Sequence, residues 1–183
     1  MVAAADPGRI VPIRRRRVSR TLGTLLAFAL LTLSGPLGGQ TAAAGADGLY
    51  AVIVHPSTTE DDLTLEDLRR VFLGQQQFWP GGRRVVLFVQ PAGTVGGDVV
   101  LEHVYRMSES EYKRYWIART FRDEVAAGPK IVSSTAMARR LTASVPGAIA
   151  VIPVEAVDGT VKVLSIDRRF PGAWDYPLRA GRQ

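Results

Sequence analysis

The stretch G-L-Y-A-V-I-V-H-P-S-T-T-E-D-D-L-T-L-E-D-L-R-R-V-F-L-G, from Gly48 to Gly74, decides the fold class. Its first seven residues are short, apolar and rich in β-branched side chains, the pattern of a strand buried on both faces. His55-Pro56-Ser57 ends that strand. Thr64 then has the properties of a helix N-cap, because its hydroxyl can accept from an amide of the first turn. Glu66 and Asp67 follow where the helix dipole favours acids, and Gly74 comes directly after the last apolar residue. Leu65, Leu68 and Phe72 fall on one face of this helix. Leu63, just before the cap, is spaced to pack against Leu68 as a hydrophobic staple. A buried strand followed by a capped, one-sided helix is the opening of an α/β domain.

The same grammar continues downstream. Trp79-Pro80-Gly81-Gly82 is a turn. Arg84 to Gln90 reads as a second buried strand, and Pro91 to Gly97 as a Gly-rich loop opening a helix over Asp98–Met107, with Leu101 and Val104 facing inward. Ser108 and Glu111 make a capping box for a third helix that runs to about Phe121 and places Tyr112, Tyr115 and Trp116 in the core. Gly128 to Lys130 reads as loop. Ser134 caps a fourth helix, stopped by Pro146-Gly147. Ala148 to Ile152 is a third strand. Val161 to Ile166 is a fourth, reached through Asp158-Gly159, a dipeptide typical of tight hairpin turns. The tail from Asp167 is irregular, with Trp174 and Tyr176 placed to dock it. The order β-α-β-α-α-α-β-β predicts one α/β domain with a mixed sheet flanked by helices.

Upstream lies a different kind of sequence. Arg14 to Arg17 and Arg20 form a basic cluster, Leu22 to Leu33 is almost wholly apolar, and Ala42-Ala43-Ala44 supplies small residues for cleavage. That order describes a secretory signal peptide over residues 1–44, with residues 45–183 as the mature domain. The apolar run falls short of the roughly 20 residues of a membrane span, so membrane contact is expected only through this segment before cleavage. The expected location is the periplasm or the exterior. Of the formal net charge of +6, the first 44 residues hold six arginines and one aspartate, which leaves the remainder near neutrality. The basic balance is therefore a property of the leader, and no nucleic-acid partner is expected. The chain has no cysteine, so neither disulfides nor lipid attachment through cysteine can contribute.

Catalytic signals are sparse. His55 and His103 are the two histidines, they are not spaced as a zinc pair, and no nucleophile elbow or P-loop is present. The expectation is a binding protein with no enzymatic activity, no metal and no cofactor. Glu60-Asp61-Asp62 reads as a solvated acidic run. Two loops have the composition of ligand contacts. Gly93, Thr94, Val95, Gly96 and Gly97 stand between a strand and a helix, where unpaired amides and the positive end of the helix dipole favour an anion. The same residues also fit a plain strand-to-helix turn, and Asp98 would compete for those amides. Ser57 and Thr58, with Thr59, follow the first strand. Ligands in open α/β sheets lie beyond the carboxyl ends of strands, so a common site for both loops is the expectation to test. Ordinary turn and capping chemistry is the alternative for Ser57 to Thr59.

Several of these segments together resemble a known family. Tyr50 to Ser57, then Leu63-Thr-Leu-Glu-Asp-Leu-Arg-Arg-Val-Phe-Leu-Gly74, is similar to the strand and the "L-T-x-E-x-L-x-x-I-F-x-G" helix of phosphate ABC transporter substrate-binding proteins (PstS-like, type 2 periplasmic binding fold). Trp79-Pro-Gly-Gly82 resembles that family's W-x-x-G segment, Ser108 to Trp116 its "M-S-x-x-x-x-x-Y-W" segment, and Val145-Pro-Gly-Ala-Ile-Ala-Val-Ile-Pro153 its "P-G-A-I-G-Y-V" strand. The match runs over roughly residues 49 to 166. The resemblance implies a domain like one lobe of a two-lobed receptor. It also implies a small oxyanion such as phosphate as ligand, and an ABC transporter permease or another exported protein as partner. It differs from the family in length, about half, and in having Gly97 where the pattern's anion-binding arginine is expected. The alternative is a protein–protein interaction module that keeps the lobe and holds no ligand.

Overall fold

The computed structural model describes residues 48–122, 124 and 128–180; the expected signal peptide lies outside them. Six strands form one sheet: β1 (Tyr50–Val54), β2 (Asp62–Leu63), β3 (Val86–Val89), β4 (Lys130–Ile131), β5 (Ala148–Pro153) and β6 (Lys162–Ile166), in the spatial order β2-β6-β1-β5-β3-β4. β1 is antiparallel to both of its neighbours, while β2 with β6, β3 with β5 and β3 with β4 are parallel pairs. Five strands therefore run one way and β1 alone runs the other.

The alternation of side chains along each strand builds two cores. Tyr50, Val52 and Val54 share one face with Leu87, Val89, Ile149, Val151, Leu164 and Ile166. Ala51 and Ile53 share the other with Phe88, Ala148, Ala150 and Ile152. The first face is covered by α1 (Leu65–Phe72), by α2 (Val95–Val99) and the wide π-turn that continues it (Val100–Tyr105), and by α3 (Glu109–Phe121). The second is covered by α4 (Thr135–Ser144), whose Ala138 is buried there. Every residue of β1 is buried, as a strand covered on both faces requires.

The helix starts are as the sequence specifies. Thr64 Oγ1 accepts from Asp67 N, Ser108 and Glu111 form the complete reciprocal box, and Ser134 Oγ accepts from Met137 N. Tyr105, Tyr112, Trp116 and Tyr115 then form a chain of edge-to-face aromatic contacts between α3 and the π-turn. Burial pushes the hydroxyls of Tyr105 and Tyr176 well above the ordinary phenol range.

Five features differ from the sequence reading. Lys130 is not loop: with Ile131 it forms β4, pairing with Phe88 and Val89 at the edge of the sheet. β2 is an additional strand, and the acidic run that leads into it is partly engaged, since Asp62 accepts from Ser165 Oγ and Arg168 N while Asp61 pairs with Lys162. Asp158-Gly159 turns the chain but makes no hairpin, because β6 crosses to the far side of β1 rather than pairing with β5. The second helix starts at Val95, not Asp98, because Thr94 supplies the cap. In the tail, Tyr176 and Leu178 dock as buried residues, whereas Trp174 is 89% exposed. The docking is completed by backbone bonds from Tyr50 N to Leu178 O and from Ala180 N to Gly48 O.

Candidate functional site

The lone reversal of β1 decides which candidate residues can act together. Its carboxyl end lies beside the amino end of β5, where His55 N donates to Ala148 O, and Val86 at the start of β3 lies level with Ala148. Ser57, Thr58 and Thr59 therefore sit at the end of the sheet where β3 begins. Gly93, Thr94, Val95, Gly96 and Gly97 follow the end of β3, at the opposite end of the sheet. The expectation of one site shared by both loops is corrected on this ground: one small ion cannot touch both ends of the sheet.

At the first loop, the hydroxyls are largely occupied by their neighbours. Ser57 Oγ and Ser57 N both bond His55 Nδ1, at 2.8 and 3.0 Å, and Thr59 Oγ1 donates to Glu60 Oε1. Lys162 Nζ donates to the Thr58 carbonyl at 2.9 Å. A cavity of about 110 Å³ lies here, lined also by Trp79, Gly81 and Arg83. Thr58 Oγ1 is buried without a partner among the described residues. Arg83 is the cation that the sequence reading did not connect with this loop; its place in the Trp79 turn gave no signal of it. Trp79 is buried and anchors that turn by donating from Nε1 to Gly147 O at 2.9 Å.

At the second loop, Gly93 has φ +81° with open space around it, a left-handed position that glycine takes without strain. Thr94 Oγ1 donates to Pro91 O and accepts from Gly97 N at 3.1 Å. Asp98 Oδ1 accepts from Gly93 N at 2.9 Å. A carboxylate of the chain thus occupies one place an anion would take, as the competition expected of Asp98 requires. Val95 and Gly96 hold the first-turn amides that have no side-chain acceptor among the described residues. Gly97 is explained by packing: a β-carbon there would stand 2.0 Å from Pro91 O. An arginine at this position would meet the same backbone atoms. Glu102, Glu109 and Arg106 line the open surface beside Asp98, so the surroundings carry more negative than positive charge.

Among the described residues, no group of three or more metal-ligating side chains converges, and no helix is long and apolar enough to cross a membrane. No family model and no curated protein matches the chain. Solved structures do. An ABC-type phosphate transport receptor from Vibrio cholerae is 20% identical with a TM-score of 0.55, over 68% of this chain and 48% of that one. PstS from Borrelia burgdorferi is 13% identical with a TM-score of 0.58, over 74% of this chain and 55% of that one. At these identities the likeness establishes the fold. The chain has the PstS-like, type 2 periplasmic-binding-protein architecture, corresponding to one lobe, and spans about half the length of the structures it matches.

Proposed function

We propose that this chain is an exported, non-enzymatic domain that works by reversible binding, with a small oxyanion such as phosphate as its ligand and an ABC-type uptake system as its setting. The observation that supports this reading is the strand-to-helix turn at Gly93–Gly97, in a fold shared with a protein described as a phosphate transport receptor. There the amides of exposed Val95 and buried Gly96 have no side-chain acceptor among the described residues, and the amide of Gly93 joins them when Asp98 swings away. Ser57 and Thr58, at the other end of the sheet, belong to a separate and weaker contact. Calorimetric titration with phosphate and sulfate tests the reading. Saturable heat, with a ligand-dependent rise in Tm, supports it. No heat at millimolar anion, from folded protein, removes it.

A second reading is favoured by one specific observation: the bond from Gly93 N to Asp98 in an acidic neighbourhood. A turn capped by its own carboxylate needs no ligand. On this reading the lobe is an interaction module for another exported protein. Phe78, more than half exposed beside the buried Trp79, contributes to its surface. Stable association with a partner in the absence of any anion response separates the two.

A further inference from the structure

The outer edge of β3 is covered at both ends and open in the middle. Val85 N donates to Gln77 O at its start, and Val132 N donates to Val89 O at its end. β4 pairs only with Phe88 and Val89. Between these, Val86 N turns the other way, to Gly147 O. Successive residues of a strand alternate in the side to which they offer their amides. The N–H of Leu87 therefore faces the uncovered stretch, and no carbonyl among the described residues meets it. Leu87 is 9% exposed, so a group that enters beside it is what this amide can donate to.

A cavity of about 340 Å³ opens at this stretch. Its walls are mainly apolar, with Val71, Val85, Trp116 and Pro129 among them, and the charged groups in its lining are Arg84 and Lys130. Among the described residues no acid lines it, and neither cation has a carboxylate partner. Its volume lies within the range of small-molecule sites, apolar with a few placed polar groups. A cavity of about 150 Å³ accepts one benzene, so this one has room for roughly a dozen heavy atoms.

We infer that this cavity is a binding site for a small organic acid with an apolar body, such as an aryl or aliphatic carboxylate. The carboxylate accepts from the Leu87 amide and lies between Arg84 and Lys130, while the apolar body packs on Val71 and Trp116. The site is at the opposite end of β3 from Gly93–Gly97 and is independent of the phosphate reading.

The test is a titration of the purified full chain with 3-phenylpropionate, read by calorimetry and by amide-resolved NMR. The expected result is saturation with a Kd below about 1 mM, with the Leu87 amide and the Trp116 indole signals moving most. The neutral alcohol 3-phenylpropanol binds at least about tenfold more weakly, and Arg84→Gln and Lys130→Gln each weaken the acid by about three- to tenfold without lowering Tm. No saturation with folded protein at about 10 mM acid, equal binding of the alcohol, or signals moving only at Gly93–Gly97 overturns the inference. Phosphate is titrated separately and read at Val95 and Gly96, so either site can fail without the other.

Discussion

Replacing Gly97 by alanine places one carbon 2.0 Å from Pro91 O, 2.6 Å from Pro91 C and 3.0 Å from Gln90 O. All three are backbone atoms at the exit of β3, so no side chain can rotate to relieve the overlap. The start of α2 must move away from the sheet, and overpacking of this kind costs about 1–3 kcal/mol or more. Alanine returns up to about 1 kcal/mol of helix propensity, which leaves a net loss of about 1–2 kcal/mol. At roughly 4 °C per kcal/mol for a domain of this size, Tm falls by about 4–8 °C. Two neighbouring glycines calibrate the result. At Gly96 the added carbon meets only the end of the Gln90 side chain, at 2.4 Å, which can rotate at the loss of its bond to Thr135 Oγ1. Gly96→Ala is therefore expected within about 1 kcal/mol of the parent. Gly93→Ala has free space but φ +81°, and costs about 1–2 kcal/mol of backbone strain. Urea unfolding of the three variants gives the order. If Gly97→Ala is within about 0.5 kcal/mol of the parent, or no worse than Gly96→Ala, the packing account of this loop is wrong. The same geometry predicts that Gly97→Arg lowers stability and does not create a phosphate grip.

Three further predictions follow from other contacts. Asp98→Asn removes the negative charge beside the Gly93 amide and is expected to strengthen phosphate binding about three- to tenfold by calorimetry; weaker binding would show that Asp98 assists the anion. Asp67 and Glu111 are held below their ordinary carboxylate values, chiefly by hydrogen bonds from Thr64 and Ser108 respectively. Folded values below unfolded ones add stability that is complete above the unfolded values and is lost as pH falls through the folded ones. The urea midpoint should thus drop below about pH 4. Thr64→Ala and Ser108→Ala, each costing about 1 kcal/mol at neutral pH, should flatten that drop, and an unchanged acid slope would contradict the assignment. In the tail, Leu178→Ala is expected to cost about 2–4 kcal/mol and Trp174→Ala less than about 0.5 kcal/mol; equal losses would mean that the exposed indole carries packing.

The parts of this fold that were legible in the sequence are those set by local chemistry. Thr64, Ser108 with Glu111, and Ser134 each announce a helix through a hydroxyl that caps it, and each does so in the structure. The four longer strands are apolar runs bounded by turn residues. Features set by tertiary contacts were not legible. β2 and β4 have two residues each, too few to show any alternation, and exist only because a neighbouring strand offers an edge. Strand order is set by packing, so Asp158-Gly159 could not reveal that β6 passes beyond β1. The reversal of β1 against β5 and β3 is what separates Ser57 and Thr58 from Gly93–Gly97. The glycines at 96 and 97 concealed the first turn of α2, although Thr94 was a visible cap. Arg83, Arg84 and the Leu87 amide carried no motif, and their meaning comes only from which edge of β3 is left open.

The proposed anion site is the turn after β3, in a chain about half as long as the structures that share its fold. Amide-resolved NMR of the purified protein during phosphate addition tests it most directly. Saturable shifts centred on Val95 and Gly96 are expected, with Gly93 moving as Asp98 is displaced and Ser57 and Thr58 still. Absence of shifts at those amides at about 10 mM phosphate, from folded protein, would contradict it and leave the interaction module as the function of the lobe.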